Sequence, residues 1–371
     1  MNVAILNWRD GAHPDAGGAE VYVHEVGQRW AGAGHRVTLY SSAAPGLPER
    51  DRDGDLEIVR TGRLKRGTHH LRAPKRVVFD APDVVLESIN TLPYQLPLRS
   101  RRSPPFVPLV HQMAVDVWHA HLPRPAAALA RRAEPLLYRT YRDVRVAAVS
   151  ESTAADLRTV GVRSPVVVPQ GGIGPQRMFE KEPVPTLLFV GRLARNKRPD
   201  HAIEAFRRVA EVLPEARLWI IGEGPMREEL ARHLPPGAHL IGRVSRNELR
   251  ERMSKAHVLL ATSVREGWGL VVTEANAMGT PAVAYDIPGL KDSVKNGVTG
   301  LLVDTNAAAI AAPVIRLLRD SNAYKEMVRN ARQWGARCTW DATAGFLMEL
   351  LEIEANSGES QPSNAMPTPP S

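Results

Sequence analysis

The chain has 371 residues, 43% of them hydrophobic and 24% charged, enough to bury substantial apolar cores and to divide into two domains. Its single cysteine, Cys338, excludes an internal disulfide framework and a multi-cysteine zinc site and reads as a buried or incidental thiol. A formal net charge of +8 leaves nucleic acid, an acidic membrane surface and anionic small molecules open as partners. No apolar run approaches the roughly 18 residues of a spanning helix, so a cytoplasmic protein is expected.

NVAIL (2–6) reads as a strand, and the glycine pair Gly17 and Gly18 then opens an amphipathic helix over about 18–31, where bare backbone can approach a ligand. RVTLY, DVVLES and FVPLVH continue as short buried strands with helical patterns between them. His111 ends the last of these runs, at a strand's carboxyl end, where open α/β sheets bind ligands. His119 and His121 follow, but their alternate spacing suits a surface loop and no carboxylate cluster accompanies them, so no metal site is expected.

Most of the basic excess falls in the first half, and its densest part is residues 124–145. There Leu129, Leu136, Leu137 and Tyr141 recur at near-helical spacing beside Arg131, Arg132, Arg139, Arg142 and Arg145. The stretch reads as an amphipathic helix packed on its own domain, with peripheral contact to a membrane surface or anionic acceptor as the alternative. No basic, aromatic-interleaved motif supports nucleic acid as a partner.

VAAVS and a helix near 152–159 close the first α/β unit, which spans 1–168; a Pro- and Gly-rich linker (169–185) precedes a second unit (186–339). The second repeats the rhythm with TLLFVG, RLWIIGEG, HLIGRV, HVLLAT, PAVAY and GLLV. The polar, proline-rich end, 355–371, is expected to be disordered.

Three loops in the second unit follow strands and could carry chemistry. GRLARNKRPD (191–200) supplies Arg192 and Lys197, which suit a diphosphate, although two solvated cations at a helix entry would look the same. GEGPMREEL (222–230) resembles half of a dinucleotide fingerprint, but without the later acidic residue a nicotinamide site is rejected, and Gly222 with Gly224 reads as a tight strand-to-helix turn near a nucleotide. VREGWGLVVTEANAMGTP (264–281) places Gly267 and Gly269 at a helix start, whose unpaired N–H groups favour an anion, with Glu266 before it and Glu274 about a turn and a half inside it. Carboxylates on either side of a phosphate site match the two hydroxyl-bearing ends of a nucleotide sugar. His111 is then a candidate for hydrogen-bonding a sugar hydroxyl or stabilising charge at the reaction centre.

GGAE (17–20), GHRVTL (34–39), VSESTAADL (149–157), GRLARNK (191–197), GEGP (222–225) and EGWGLVVTEANAMGTPAVA (266–284) together resemble a retaining glycosyltransferase of family 4. The resemblance runs from residue 1 to about 350 and implies the GT-B fold: α/β, two Rossmann-like domains with parallel sheets facing a central cleft. By it, Glu266 holds donor-sugar hydroxyls, Glu274 the ribose, and Arg192 with Lys197 the diphosphate. His111 is the cleft histidine and Gly17 and Gly18 are the N-terminal glycine loop, while Gly222, Val244, Gly267, Trp268, Gly269 and Leu270 complete the donor site. Trp268 stands where Phe is commoner, and PQGGI (169–173) replaces the frequent Pro-Asn-Gly.

The resemblance further implies a final helix, 340–354, that crosses back to the first domain, and catalysis without metal or cofactor, with a nucleotide sugar as co-substrate. Front-face attack, the leaving phosphate accepting the acceptor's proton, would need no enzymic nucleophile. The expected partners are that donor and an acceptor glycan, lipid-linked or small-molecule. A nucleotide-sugar 2-epimerase on the same scaffold and a non-catalytic sugar-nucleotide sensor are the alternatives, against which the intact glutamate pair and cations argue.

Overall fold

A computed structural model describes residues 1–63, 68–98, 104–114, 118 and 123–359. His119, His121 and the last twelve residues lie outside them. The first sheet comprises β1 (Asn2–Leu6), β2 (Arg36–Ser41), β3 (Arg50–Asp53), β4 (Leu56–Arg60), β5 (Val84–Ile89), β6 (Phe106–Val110), β7 (Ala147–Ala148) and β8 (Val166–Val167). Their order is β3-β4-β2-β1-β5-β6-β7-β8, parallel except for the β3–β4 pair. β5 is buried along its whole length, which explains why its sequence runs apolar without alternation until Glu87 and Ser88.

One face of this sheet is covered by α1 (Gly18–Gly32), whose Tyr22, Val23, Val26 and Trp30 pack on Val3, Ile5 and Leu86. The other face carries α2 (Thr68–Asp80), α3 (Arg124–Tyr138) and α4 (Glu151–Thr159). α3 departs from the expected packing. Its buried stripe is Ala127, Glu134 and Tyr138, whereas Leu129 and Leu136 are 70% and 53% exposed. The cause is Glu134, whose carboxylate accepts hydrogen bonds from the Ala114 N–H (2.5 Å) and the Trp118 indole (2.8 Å) and so turns that side of the helix inward.

The second sheet is wholly parallel: β9 (Thr186–Val190), β10 (Arg217–Ile221), β11 (Ala238–Gly242), β12 (Val258–Ala261), β13 (Ala282–Tyr285) and β14 (Gly300–Val303), in the order β11-β10-β9-β12-β13-β14. Its helices are α5 (Pro199–Ala210), α6 (Arg227–Arg232), α7 (Arg246–Lys255), α8 (Leu270–Ala277), α9 (Leu290–Ser293), α10 (Ala308–Arg319) and α11 (Ser321–Arg337). Apart from the antiparallel β3–β4 edge pair, chain order reverses once in each sheet, between β1 and β5 and between β9 and β12. Helices leave such a point on opposite faces and open a crevice at the strand ends.

The last helix, α12 (Trp340–Glu359), returns to the first sheet. Trp340, Leu347 and Leu351 join the core of Ile5 and Leu86, and the Trp30 indole donates to the Ala344 carbonyl at 2.9 Å. It extends to Glu359, so the disordered tail expected from 355 begins as helix. A formed helix gains one hydrogen bond per added residue, and Ala355, partly buried, still packs on the first core.

The chain therefore crosses between the two sheets twice, and the crossings lie side by side. Ile173 pairs with Thr339, and the Thr343 hydroxyl donates to the Pro169 carbonyl at 2.8 Å. A Cβ on Gly171 would overlap the Trp340 indole, so this linker glycine is a packing requirement. Gly171→Ala is expected to lower stability by about 2 kcal/mol through overpacking. Gly345→Ala, at an open helical position on α12, should leave stability unchanged or raise it slightly. Equal melting temperatures for the two variants would refute the crowding at Gly171.

Candidate functional site

The loop from β12 to α8 is fixed by its neighbours before any ligand is considered. The Thr262 hydroxyl lies 2.9 and 2.8 Å from the carbonyls of Lys197 and Arg198, and the Val264 N–H donates to the Asn196 carbonyl at 2.8 Å. These contacts join the β9 and β12 loops across the point where strand order reverses. Arg198 takes φ +48°, a left-handed conformation unusual for a side chain of its size, at the turn that presents Lys197. The Lys197 ammonium meets Glu266 Oε1 at 2.5 Å, and the Ser263 hydroxyl donates to the same oxygen. The cation assigned to a diphosphate and the carboxylate assigned to sugar hydroxyls are thus partners of each other.

Three glycines let backbones meet where no side chain fits. A Cβ on Gly267 would overlap the His111 carbonyl oxygen, one on Gly289 the Glu266 carbonyl, and one on Gly222 the Gly191 carbonyl. Gly267 therefore brings the second sheet's loop directly onto the first sheet's strand end. Gly222 serves packing: the 222–224 loop is the floor beneath GRLARNK, with the Leu193 N–H bonded to the Glu223 carbonyl and the Met226 N–H to the Leu193 carbonyl. Val244 lies in the adjoining turn after β11 and packs, partly buried, on the second core.

Gly269 caps α8 at φ +92°, and no side chain caps the helix's first N–H groups. Opposite it, Gly17 caps α1, and its N–H is taken at 2.6 Å by the buried carboxylate of Glu20, which also accepts from the Trp8 indole. A Cβ on Gly18 would sit 3.6 Å from the Leu270 side chain, an ordinary contact, so the two helix starts face each other closely. Leu270 itself packs against the first domain's core. Trp268 turns onto the back of α8, with its ring 6.4 Å from Trp334 and its indole N–H 3.4 Å from the Thr273 hydroxyl.

Further ion pairs close the cleft: Arg192 with Asp15 at 2.6 Å, Arg246 with Glu25 at 2.7 Å, and the buried Arg265 with Asp156. Arg192 is consequently held from the first domain and stands apart from the Lys197–Glu266 pair. Sequence reasoning missed Arg265, whose only signal was a charged residue beside a glycine-rich turn. It also missed Asn7 and Ser88, which line the carboxyl ends of β1 and β5 next to His111; polar residues ending apolar runs were the available clue.

Glu274 lies partly buried on α8 with no hydrogen-bond partner among the described residues, and burial pushes its carboxyl up to about 7, which Arg246 and Arg250 offset only in part. Among the described residues no group of three His, Cys, Asp or Glu side chains forms a metal cage, and no helix is long and apolar enough to cross a membrane.

Comparison with known proteins places these features in context. Residues 16–177 match the family described as Glycosyltransferase Family 4 and residues 175–334 that described as Glycosyl transferases group 1. A D-inositol 3-phosphate glycosyltransferase of Kribbella flavida is 30% identical over 384 residues, covering 89% of each chain. Matches to another such enzyme from Xylanimonas cellulosilytica (32%) and to a glycogen synthase of Mycobacterium tuberculosis (33%) cover 45% and 49% of this chain and span less than half of those relatives, 42% and 45%. In three dimensions the chain is similar to a sucrose-phosphate synthase from Thermosynechococcus elongatus, with TM-score 0.80 at 22% identity over 96% of this chain and all of that one. WaaG, a glycosyltransferase involved in lipopolysaccharide biosynthesis, gives 0.75 at 18% identity over 94% and 99%. Anabaena HepE in complex with UDP-glucose gives 0.70 at 16% over 95% and 100%.

A carboxyl whose pKa rises on folding holds its proton more tightly in the folded state, so its contribution to stability is present at low pH and lost as pH rises from about 4.5 to about 7. Glu274→Gln is therefore expected to raise the melting temperature at pH 8 by a gain on the order of 1 kcal/mol, with no gain at pH 4. An unchanged melting temperature at pH 8 would show that position 274 carries no buried-charge penalty.

Proposed function

The chain belongs to the family 4 glycosyltransferases, with the GT-B fold, and from that premise we propose that it moves a hexose or related sugar from a nucleotide-sugar donor to an acceptor hydroxyl with retention at the anomeric carbon. The observation that carries this reading is the apposition of two helix starts, at Gly17–Gly18 and Gly269–Leu270, across a cleft flanked by Lys197, Glu266 and Glu274. The uncapped start of α8 suits a diphosphate, and a carboxylate toward each end suits the hydroxyls of sugar and ribose.

In this reading the donor diphosphate takes over Lys197, and Glu266, released from its ion pair, accepts hydrogen bonds from the sugar. The bond from the anomeric carbon to the diphosphate oxygen breaks as charge grows on that oxygen. Lys197, the α8 N-terminus and, once released from Asp15, Arg192 stabilise it. The acceptor oxygen forms its bond on the same face, and its proton passes to the departing phosphate. No metal, cofactor or enzymic nucleophile enters. Ionised Glu274 accepts from ribose hydroxyls better than its acid form, so nucleotide binding should tighten as pH rises through about 7.

The first domain supports the acceptor side of the proposal. α2, the 96–98 turn and α3 lie on one face of the first sheet and carry Leu71, Phe79, Leu98, Leu129 and Leu136 exposed, with Phe79 at 78%. Arginines stand among them, including Arg72, Arg76, Arg132 and Arg139. Apolar side chains set among cations suit a peripheral position on an anionic lipid surface, at the inner face of the cytoplasmic membrane, where a lipid-linked acceptor would be presented.

A panel of UDP, GDP, ADP and TDP sugars, read by acceptor-dependent nucleotide release, tests the activity. Lys197→Ala and Glu274→Ala should each weaken nucleotide binding roughly tenfold or more, the loss of one charge-assisted hydrogen bond. Undiminished thermal shifts in both variants would remove the site. For the surface, Leu129→Glu/Leu136→Glu should abolish co-sedimentation with phosphatidylglycerol vesicles while leaving nucleotide thermal shifts unchanged. Equal recovery of the wild type with phosphatidylglycerol and with phosphatidylcholine vesicles would reject the charge-based contact.

A further inference from the structure

The carboxyl ends of β1, β5 and β6 bring Asn7, Ser88 and His111 into one buried chain of hydrogen bonds whose proton positions follow from chemistry alone. The Asn7 amide nitrogen lies 2.7 Å from the Arg9 carbonyl. A carbonyl only accepts, so the NH2 group faces Arg9 and the amide oxygen faces the other way. That oxygen lies 2.8 Å from the Ser88 hydroxyl, which must give it its one proton. Ser88 Oγ is also 2.9 Å from His111 Nε2. With the serine proton already committed, this second contact is a hydrogen bond only if Nε2 carries a hydrogen. All three side chains are buried, so an unmatched pair of lone pairs here would carry a desolvation cost.

Burial also holds the imidazole neutral at physiological pH, pushing its pKa down to about 3. A neutral ring has one N–H, and its place at Nε2 leaves Nδ1 bare. Tyr22 packs edge-on against the ring at 5.2 Å and restrains its plane, and no hydrogen bond to Nδ1 is made among the described residues.

We propose that Ser88, oriented by Asn7, is a positioning residue that fixes His111 as the Nε2–H form, so that Nδ1 meets a bound hydroxyl as a hydrogen-bond acceptor. The inference rests on the reading of His111 as a residue of the sugar site. Under it, His111 donates no proton to the leaving group; it discriminates in favour of a donor or acceptor that presents a hydroxyl and against the analogue lacking it, because a ligand covering Nδ1 without a hydroxyl would leave that nitrogen unmatched.

The test is a long-range proton–nitrogen correlation spectrum of the full chain, without ligand, labelled with nitrogen-15 histidine and with His111 assigned by its absence in His111→Gln. The expected wild-type pattern has an unprotonated Nδ1 and a protonated Nε2. Ser88→Ala should lose that pattern and lower kcat/KM about tenfold, the size of one net hydrogen bond, whereas Ser88→Thr should keep both. A protonated Nδ1 in the wild type, or an unchanged His111 pattern in Ser88→Ala, overturns the proposal. Should Ser88→Ala fail to fold, the wild-type and Ser88→Thr spectra decide. Because the spectrum needs no substrate, its failure is distinct from failure of the transferase reading, which the nucleotide-sugar panel reports.

Discussion

Where the Gly267 backbone rests on the carbonyl of His111, the loop before α8 and the end of β6 share a contact that excludes even a methyl group. That approach sets the separation of the two sheets at the cleft and, through it, the distance between the helix starts at Gly18 and Leu270. The other close contacts are arranged around it: Gly289 against Glu266 fixes the loop from behind, and Gly222 against Gly191 fixes the neighbouring loop from below. The cleft is a place where backbone meets backbone, and the side chains that could do chemistry are carried at its margins. Backbone contacts of this kind have no rotamers to lose, so the geometry they define costs little side-chain entropy.

The charges at those margins are already matched. Lys197 holds Glu266, Arg192 holds Asp15 and Arg246 holds Glu25, so under the proposed function a diphosphate would exchange one partner for another without meeting bare cations. Of these pairs Lys197–Glu266 is partly buried on both sides, whereas Arg192, Asp15 and Arg246 are exposed, and exposed pairs contribute little and stay replaceable. Glu274 is the contrast. It sits without such a partner, with its carboxyl raised by burial, and a group kept in that state without a ligand is destabilising for the fold.

The alternation of short apolar runs and helical patterns was enough to read two parallel α/β units, because strands buried on both faces must be continuously apolar. The glycines of the 191–200 and 264–281 loops were legible as turns at strand ends and helix starts, because turn chemistry is set by neighbouring residues. Contacts between the halves were not. Nothing near Gly267 says that its neighbour is His111, 156 positions earlier, nor that Leu270 packs against the first core. α3 misled because helical periodicity reports a stripe without saying which way it turns, and one buried carboxylate, Glu134, decided that. The polar sequence after 354 concealed helix, since continuation of a formed helix needs little apolar surface, here Ala355 against the first core.

The last helix gives the molecule an order of events. Trp340, Leu347 and Leu351 fill the core shared by Ile5, Val23 and Leu86, so a nascent chain emerging amino end first has all eight strands of the first sheet by Val167 but leaves that core open until the last helix is made. The second unit has all six of its strands by residue 303 and its core residues by Met327, so it can close before the last helix is made, while the half translated first waits for that helix. Its unfinished apolar surface during that interval is the kind that chaperones recognise.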